Sequence, residues 1–156
     1  MKSLMLISFL LLALTAAAQV KVYKGTSRYN SDVLCTITDG KIFRKTSFYN
    51  SDIISTVKYN NIYKGTSTYS SDVLFTVIEG KVYKANSSYT SDILLTIREG
   101  KIYRGTSTYD NDILYTIKGD KIYSGTSSYS SDIRFTIEGA YTTEELVAVL
   151  NALGSF

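Results

Sequence analysis

Two polar residue types recur at a constant spacing and form the most regular candidate site in the chain. From Lys21 to Ala140 the sequence consists of six consecutive 20-residue copies, and in every copy position 7 is serine and position 12 is aspartate. An aspartate carboxylate caps a turn by accepting backbone N–H bonds, and a serine hydroxyl at the other end of the loop can donate to it. We therefore predict that six aspartates are structural loop clamps: Asp32, Asp52, Asp72, Asp92, Asp112 and Asp132.

The same carboxylates could instead form a ring that binds calcium. Calcium takes about six to eight oxygen ligands, whereas each copy carries one aspartate at this position and no D-x-D-x-D-G loop. Histidine is absent and Cys35 is the only cysteine, which excludes Ser-His-Asp and Cys-His catalysis and imidazole or Cys-rich metal sites. We favour the clamp, and we predict no metal site and no cofactor.

Tyrosine is the second regular feature, and it occurs in two sets. The rings at position 9, in the polar loop, either pack over their own hairpins or form a rim of aromatic platforms for sugar rings or a protein partner. The rings at position 3, where Phe43 replaces tyrosine in the second copy, are expected to pack over the neighbouring glycine at position 5. The candidate binding residues are the position-9 set: Tyr29, Tyr49, Tyr69, Tyr89, Tyr109 and Tyr129.

The remaining charged residues narrow the choice of partner. A net charge of +3 spread along the chain is too small to predict nucleic-acid binding. Ten of the seventeen Lys and Arg residues occupy positions 1 and 4, where they either keep strand edges solvated or bind an anionic glycan. Arg134, at position 14, is expected to pair with Glu144 or Glu145, and Cys35 is expected to be a small buried side chain.

Two β-strands per copy must position these residues. The patterns K-[IV]-[YF]-[KR]-G-T and D-[IV]-L-x-T-[IV] are rich in β-branched and aromatic residues, and links such as Asp39-Gly40 between copies are typical of hairpins. Because side chains alternate along a strand, positions 13, 15 and 17 are expected on one face. Lys45 and Ala85 stand where the other copies have glycine at position 5, which indicates that this position does not require a positive φ.

Two architectures fit a 20-residue β repeat. A solenoid would stack the equivalent aspartates about 4.8 Å apart, where neighbouring charges repel by roughly 3 kcal/mol. A meander of hairpins places them about 9.6 Å apart, so we favour the all-β meander of about twelve antiparallel strands and keep the β-solenoid as the alternative. An even-stranded meander can close, and closure removes the exposed strand edges that promote aggregation.

The two ends of the chain differ from the repeats. Residues 1–18 combine Lys2, an apolar run and small residues before Gln19, a pattern typical of a cleaved secretory signal peptide. We therefore predict a periplasmic or extracellular protein without stable membrane insertion after processing. Residues 19–140 form the predicted repeat domain, and residues 141–156 form a C-terminal helix that starts at a capping box, Thr142 to Glu145, and covers or plugs the sheet.

The spacing S-x-Y-x-S-D-[IV]-[LI]-x-T-[IV], followed by a T-x-E-E-L-V-A-V tail, resembles the secreted tandem β-hairpin proteins of bacteria, most closely the uncharacterised beta flower type. The likeness covers residues 21–153. It implies hairpins that radiate about an axis and an exported, bacterial setting. It implies no reaction.

These observations favour a non-enzymatic exported module whose repeated Ser-Tyr-Asp loops bind a polysaccharide or a protein partner. Six equivalent carboxylates have identical surroundings, whereas a glycoside hydrolase needs two carboxylates in different environments. The hydrolase is therefore the least favoured alternative, after a self-assembling structural protein. The oligomeric state does not follow from the sequence.

Overall fold

The computed structural model of the protein describes residues 19–156, and the predicted signal peptide lies outside them. These residues form twelve strands, a short 3-10 helix in each long loop, and one α-helix, α1 (Thr143–Ala152). The strands are β1 (Val20–Lys24), β2 (Val33–Thr38), β3 (Lys41–Arg44), β4 (Ile53–Lys58), β5 (Asn61–Lys64), β6 (Val73–Ile78), β7 (Lys81–Lys84), β8 (Ile93–Arg98), β9 (Lys101–Arg104), β10 (Ile113–Lys118), β11 (Lys121–Ser124) and β12 (Ile133–Glu138).

The strands form one closed antiparallel barrel in which each strand pairs with its neighbours in the sequence, and β1 closes the sheet by pairing with β12. At this seam Val22 lies opposite Ile137 and Tyr23 lies opposite Thr136. The predicted meander and its closure are confirmed, and the solenoid is not favoured.

The barrel has two different ends. Two-residue turns connect consecutive copies at one end, which we call the turn end; at Asp39-Gly40 both residues have positive φ, 50° and 69°. The longer loops within each copy leave the other end, which we call the loop end. Arg28, in the first loop, nevertheless forms ion pairs with Asp120 and Glu138 near the turn end. This loop therefore folds back along the outside of the barrel.

The interior is filled by α1. Position 2 of every copy is fully buried, and so are five consecutive helix residues, Leu146 to Leu150, at 0–2% exposure. A helix that is buried on all sides must lie within the barrel. It begins at the predicted capping box, where Glu145 N donates to Thr142 Oγ1 at 3.2 Å and Thr142 N donates to Glu145 Oε2 at 2.9 Å. Within residues 19–156 no helix is long and apolar enough to span a membrane.

A β-bulge at position 14 overturns the prediction that positions 13, 15 and 17 share a face. In the fifth copy Ile113 pairs with Tyr103 and Tyr115 pairs with Ile102, with a register shift between the two pairs. Since Ile102 and Tyr103 are consecutive and point to opposite faces, their partners do too. Positions 15 and 17 therefore face the core, whereas position 13 faces outward beside the position-3 aromatic ring.

Position 5 also differs from the prediction. All six copies have positive φ there, between 52° and 56°, including Lys45 and Ala85. The expectation that this position needs no positive φ is therefore wrong: in those two copies a side chain is held in the left-handed region, which costs roughly 1–2 kcal/mol per residue.

Adjacent copies are also joined by the threonine at position 16. Its hydroxyl donates to the position-5 carbonyl of the next copy, as in Thr56 to Gly65 at 2.7 Å, and Thr136 to Gly25 makes the same bond across the seam at 2.7 Å. In the first copy the hydroxyl of Thr36 is buried and has no partner among the described residues. The repeated threonine had no assigned role in the sequence, because its acceptor lies nine residues away in a turn whose geometry the sequence does not specify.

Candidate functional site

Each long loop contains the serine-to-aspartate hydrogen bond of the predicted clamp. Among the described residues no backbone N–H donates to these carboxylates, which differs from the prediction: the N–H of the loop tyrosine donates to the serine instead. Ser27 Oγ donates to Asp32 Oδ2 at 2.6 Å and accepts from Tyr29 N at 3.2 Å. The backbone closes the loop further, because Asp32 N donates to Tyr29 O at 2.9 Å and Ser27 N donates to Lys24 O at 3.1 Å. The side-chain pair recurs in all other copies at 2.5–2.6 Å. The contribution of this pair to stability stays a prediction.

The aspartates remain one to a loop. Within residues 19–156 there is no group of three or more acidic or cysteine side chains close enough to hold a metal ion. The geometry thus brings each aspartate to its own serine, and does not bring the aspartates to one another.

The position-9 tyrosines are large aromatic side chains that are exposed in every copy. Their exposed fractions lie between 74% and 77%, so the alternative in which these rings pack over their own hairpins is wrong. Their backbones are nearly superimposable, with φ between −81° and −88° and ψ between 139° and 145°. The six rings are consequently presented in equivalent local settings around the barrel.

Beside each of two of these rings lies a shallow concavity that we call the loop notch. In the third copy Lys64, Ser67, Tyr69 and Asp72 line it, together with the turn at Gly65, and its volume is about 710 Å³. The equivalent residues of the first copy line a notch of the same volume, about 710 Å³: Lys24, Ser27, Tyr29 and Asp32. The repeat thus places an aromatic ring, a cation, a hydroxyl and a carboxylate around one surface.

The loop notch has the chemistry to hold a sugar. A tyrosine ring offers a flat apolar face, and an amphipathic ring of this kind is favoured at exposed binding surfaces. An ionised carboxylate accepts at about four lone-pair sites, so a bond from one serine leaves acceptor capacity for ligand hydroxyls. The lysine ammonium brings up to three donors.

The sequence left two interpretations for the position-4 basic residues, solvated strand edges and binding of an anionic glycan. Position 4 shares the inward face of position 2 and pairs with inward position 15, as in Arg44 opposite Cys35 and Lys64 opposite Ser55. At the strand end this face opens into the loop-end mouth of the barrel. The two-residue spacing from the buried position 2 was the signal that could have placed them.

The position-3 rings, in contrast, are buried at 3–9% exposure on the outside of the sheet, in agreement with a packing role. At the seam the hydroxyl of Tyr23 donates to Glu138 Oε2 at 2.8 Å. Burial and this carboxylate raise the pKa of Tyr23 above its ordinary value. The position-3 tyrosines are therefore part of the scaffold rather than of the exposed site.

The structure agrees with the prediction for Cys35 and disagrees with the prediction for Arg134. Cys35 is fully buried and unpaired, as expected, and burial raises the pKa of its thiol to about 12. Arg134 does not form the expected pair with Glu144 or Glu145: among the described residues its side chain makes no ion pair. It lies beside Leu153 and Ser155 at the C-terminal end of α1, whereas both glutamates lie in the first turn.

Comparison with known protein families agrees with this architecture. A family model described as 6-fold beta flower protein matches residues 22–150. An X-ray structure of a protein from Arabidopsis thaliana is similar over 89% of this chain and 93% of that chain, with 15% sequence identity and a TM-score of 0.45. No curated protein matches the chain.

Proposed function

The chain belongs to the 6-fold beta flower proteins, and on this premise we propose that it is a non-enzymatic binding module whose six loop tyrosines engage a repetitive ligand, most simply a polysaccharide. The observation that carries the proposal is the set of six tyrosine rings, each about three-quarters exposed and each in the same backbone setting. Tyrosine and other aromatic side chains are enriched in binding surfaces relative to the rest of the protein surface. A repeat that retains one in every copy therefore favours recognition over packing.

Multiplicity makes weak individual sites useful. When several equivalent sites engage one polymer, binding at the first raises the effective concentration at the second, and the overall affinity can exceed that of one site by about 10²–10⁴. A sugar polymer also presents the same unit repeatedly, which matches a surface that presents the same loop tyrosine in every copy, with a loop notch beside the rings of the first and third copies. The carboxylate and ammonium groups of the notch would bind ligand hydroxyls, while the tyrosine ring would stack on a sugar face.

The proposed setting is outside the cytoplasm, either in the periplasm or in the extracellular space. It rests on the signal-peptide pattern of residues 1–18 and on the polar, tyrosine-rich loops that a secreted polysaccharide-binding protein would present. Mass spectrometry of the protein recovered from cell fractions tests this: an exported chain that begins at Gln19 is the expected result. A chain retained in the cytoplasm with residues 1–18 intact would contradict it.

A glycan array with the intact protein tests the ligand class. Retention is expected on a subset of polysaccharides, and the double variant Tyr69→Ser with Tyr89→Ser is expected to lose most of it, because two neighbouring platforms disappear. The matched control is Tyr59→Asn, which removes a tyrosine that is 85% exposed in a two-residue turn and does not belong to the loop set. A blank array for the intact protein, or equal losses in both variants, would contradict the proposal.

The two alternative functions have less support. Edge-to-edge self-assembly requires an unpaired strand, and every strand described in residues 19–156 has two neighbours in the closed barrel. A glycoside hydrolase requires two carboxylates with different environments. Each loop aspartate instead makes the same bond to its own serine.

A further inference from the structure

The sixth copy breaks the charge pattern at the loop-end mouth. Position 4 is lysine or arginine in the first five copies and Ser124 in the sixth, while position 14 is leucine or isoleucine in the first five and Arg134 in the sixth. The basic side chain has thus moved from β11 to β12, next to the seam. This exchange removes a cation from one strand and places another beside Lys24 of β1.

A cavity of about 620 Å³ lies at this position, between the seam and the end of α1. Lys24 and Arg134 contribute its cations, and the hydroxyl-bearing Ser124 and Ser131 contribute polar groups. Gly25 N donates to Arg134 O at 3.0 Å, which holds the two basic residues on directly adjacent strands. The volume lies within the range of about 300–1,000 Å³ that small-molecule sites occupy.

The remaining wall of the cavity is apolar, with one carboxylate. Leu34, Phe135 and Leu153 line it on the side of the core, and Asp132 is its acidic residue. The carboxylate of Asp132 already accepts hydrogen bonds from Ser127 and Ser131. In contrast, neither Lys24 nor Arg134 forms an ion pair in the described part of the chain.

We propose that this cavity, which we call the seam pocket, binds a small amphiphilic monocarboxylate, a carboxylate head group on an apolar chain. The two cations on adjacent strands would hold the head group at the rim, because charge-assisted hydrogen bonds to a carboxylate are the strongest that these side chains form. The chain would lie against Leu34 and Leu153. The partial negative charge at the C-terminal end of α1 keeps the head group at the rim and away from the helix axis.

This site differs from the proposed polysaccharide site, although Lys24 lines both the seam pocket and the loop notch of the first copy. The loop tyrosines recur in every copy and do not line the seam pocket, whereas the seam pocket depends on Arg134, which only the sixth copy carries. A failure of the glycan array would leave this proposal intact, and the reverse also holds.

Titration of the ¹⁵N-labelled protein with sodium octanoate, below its micelle concentration, tests the seam pocket. Saturable shifts are expected at the amides of Gly25, Arg134 and Ser155. Octan-1-ol, which has the same chain without the charge, is expected to bind at least about tenfold more weakly, since one charge-assisted hydrogen bond is worth more than 1.4 kcal/mol. Equal binding of the alcohol would overturn the assignment of an anion.

The repeat supplies unusually well matched variants. Arg134→Leu installs the residue that Leu34, Leu94 and Leu114 provide in other copies, so the variant is expected to fold, and its affinity for octanoate is expected to fall about tenfold or more. Arg134→Lys is expected to retain most of the affinity. Lys84→Ser is the control, because it places at position 4 of the fourth copy the serine that the sixth copy has at the same position, Ser124. It is expected to alter the affinity for octanoate less than about twofold.

Unchanged octanoate affinity in Arg134→Leu would overturn the seam pocket. The same conclusion would follow if Arg134→Leu and Lys84→Ser weakened binding equally, because the effect would then reflect the net charge of the mouth and not the pocket.

Discussion

The outer loops and the inner wall of the barrel are built from the same six copies but follow opposite rules. In the loops, serine at position 7, tyrosine at position 9 and aspartate at position 12 are identical in every copy. On the inner wall, position 15 is different in almost every copy: Cys35, Ser55, Phe75, Leu95, Tyr115 and Phe135. The difference follows from what each region faces, because every loop faces solvent while every wall segment faces a different side of one helix.

The inner wall shows where the helix lies. The backbone of α1 is closest to β2, β3, β4 and β5, and the two smallest position-15 residues, Cys35 and Ser55, lie on β2 and β4. The larger residues lie on β6, β8, β10 and β12. A single off-centre helix therefore breaks the sixfold symmetry, and the side-chain sizes compensate for its displacement.

Aromatic contacts fill the wider side of the lumen and hold the C-terminal residues. The rings of Phe75 and Phe156 lie 5.2 Å apart between centroids, and those of Tyr115 and Phe135 lie 6.2 Å apart. The hydroxyl of Tyr115 donates to Ser155 O at 3.1 Å. The inner wall is thus specific for one placement of the helix, whereas each loop needs only its own copy.

The largest expected effect is a loss of folding stability at high pH, which follows from the burial of Cys35 in the inner wall. Burial raises the pKa of this thiol to about 12 from an ordinary value of 9.0, a difference that corresponds to about 4 kcal/mol. Because the folded-state pKa is the higher one, this stability is fully present below about pH 9 and is lost progressively as the pH rises towards 12.

Chemical unfolding of the wild type and of Cys35→Ala at pH 8 and pH 10.5 measures this contribution. The wild type is expected to lose about 2 kcal/mol more than the variant between the two values, since all other ionising groups are common to both proteins. Equal pH dependence in the two proteins would mean that the thiol is hydrated.

The second prediction tests whether the space available for the position-15 side chain differs between copies. Ser55→Phe places on β4 the residue that Phe75 and Phe135 provide elsewhere, and it is expected to destabilise by about 3 kcal/mol because the helix leaves no space there. Leu95→Phe, on the wider side, is expected to cost less. Thermal melts of both variants measure the difference, and similar losses would mean that the helix is centred.

Ser55→Ala serves as the control at the same position. The hydroxyl of Ser55 is fully buried and has no hydrogen-bond partner among the residues described. Its removal is expected to leave stability unchanged or raise it by about 1 kcal/mol, which would show that the loss in Ser55→Phe comes from size alone.

The same contrast explains what the sequence could and could not predict. The repeat, the hairpins and the C-terminal helix follow from local patterns, because each copy repeats its own turn signals and the helix has its own capping box. Closure was expected from the even number of strands. The bulge at position 14 did not follow, since it depends on the pairing of Ile102 and Tyr103 with a neighbouring strand. The same holds for the positive φ of Lys45, which the turn imposes against the preference of the residue.

The candidate site was predictable in part. The spacing identified Tyr69 and Asp72, and the internal bond from Ser67 followed from ordinary loop chemistry. The exposure of the tyrosine ring and the approach of Lys64 to the same notch required the path of the loop across the outside of the barrel. The predicted pairing of Arg134 with Glu144 or Glu145 was wrong because the sequence does not show that α1 runs through the barrel. The two glutamates lie at the first turn of α1, and Arg134 lies at its C-terminal end.

The third prediction tests the loop clamp and the equivalence of the copies. Asp92→Ala removes the acceptor of the Ser87 hydroxyl, which lies 2.6 Å away, and is expected to destabilise by about 1–2 kcal/mol, as for a lost capping bond. Asp52→Ala is expected to cost the same, because its loop has the same bond. Asp110→Ala removes an exposed carboxylate paired only with Lys101 at 3.3 Å, and is expected to cost less than about 0.5 kcal/mol.

Denaturant unfolding of the three variants separates these contributions. An unchanged midpoint for Asp92→Ala would contradict the clamp. A large difference between Asp92→Ala and Asp52→Ala would contradict the claim that the loops are independent of the asymmetric interior.

The smallest expected effect is a gain in stability at position 5, where two copies lack the glycine of the other four. Lys45 and Ala85 have φ of 52° in the left-handed region that glycine occupies in the other copies. Lys45→Gly and Ala85→Gly are each expected to stabilise by about 1 kcal/mol, because the relief of left-handed strain exceeds the entropy that glycine adds to the unfolded chain. Gly65→Ala is the reverse control: an added Cβ would lie 3.9 Å from Ile53 O, an ordinary contact, so any loss there is conformational and not steric. Thermal melts in which Lys45→Gly and Ala85→Gly lose stability would contradict this prediction. They would show that the turn at position 5 accommodates a side chain without strain.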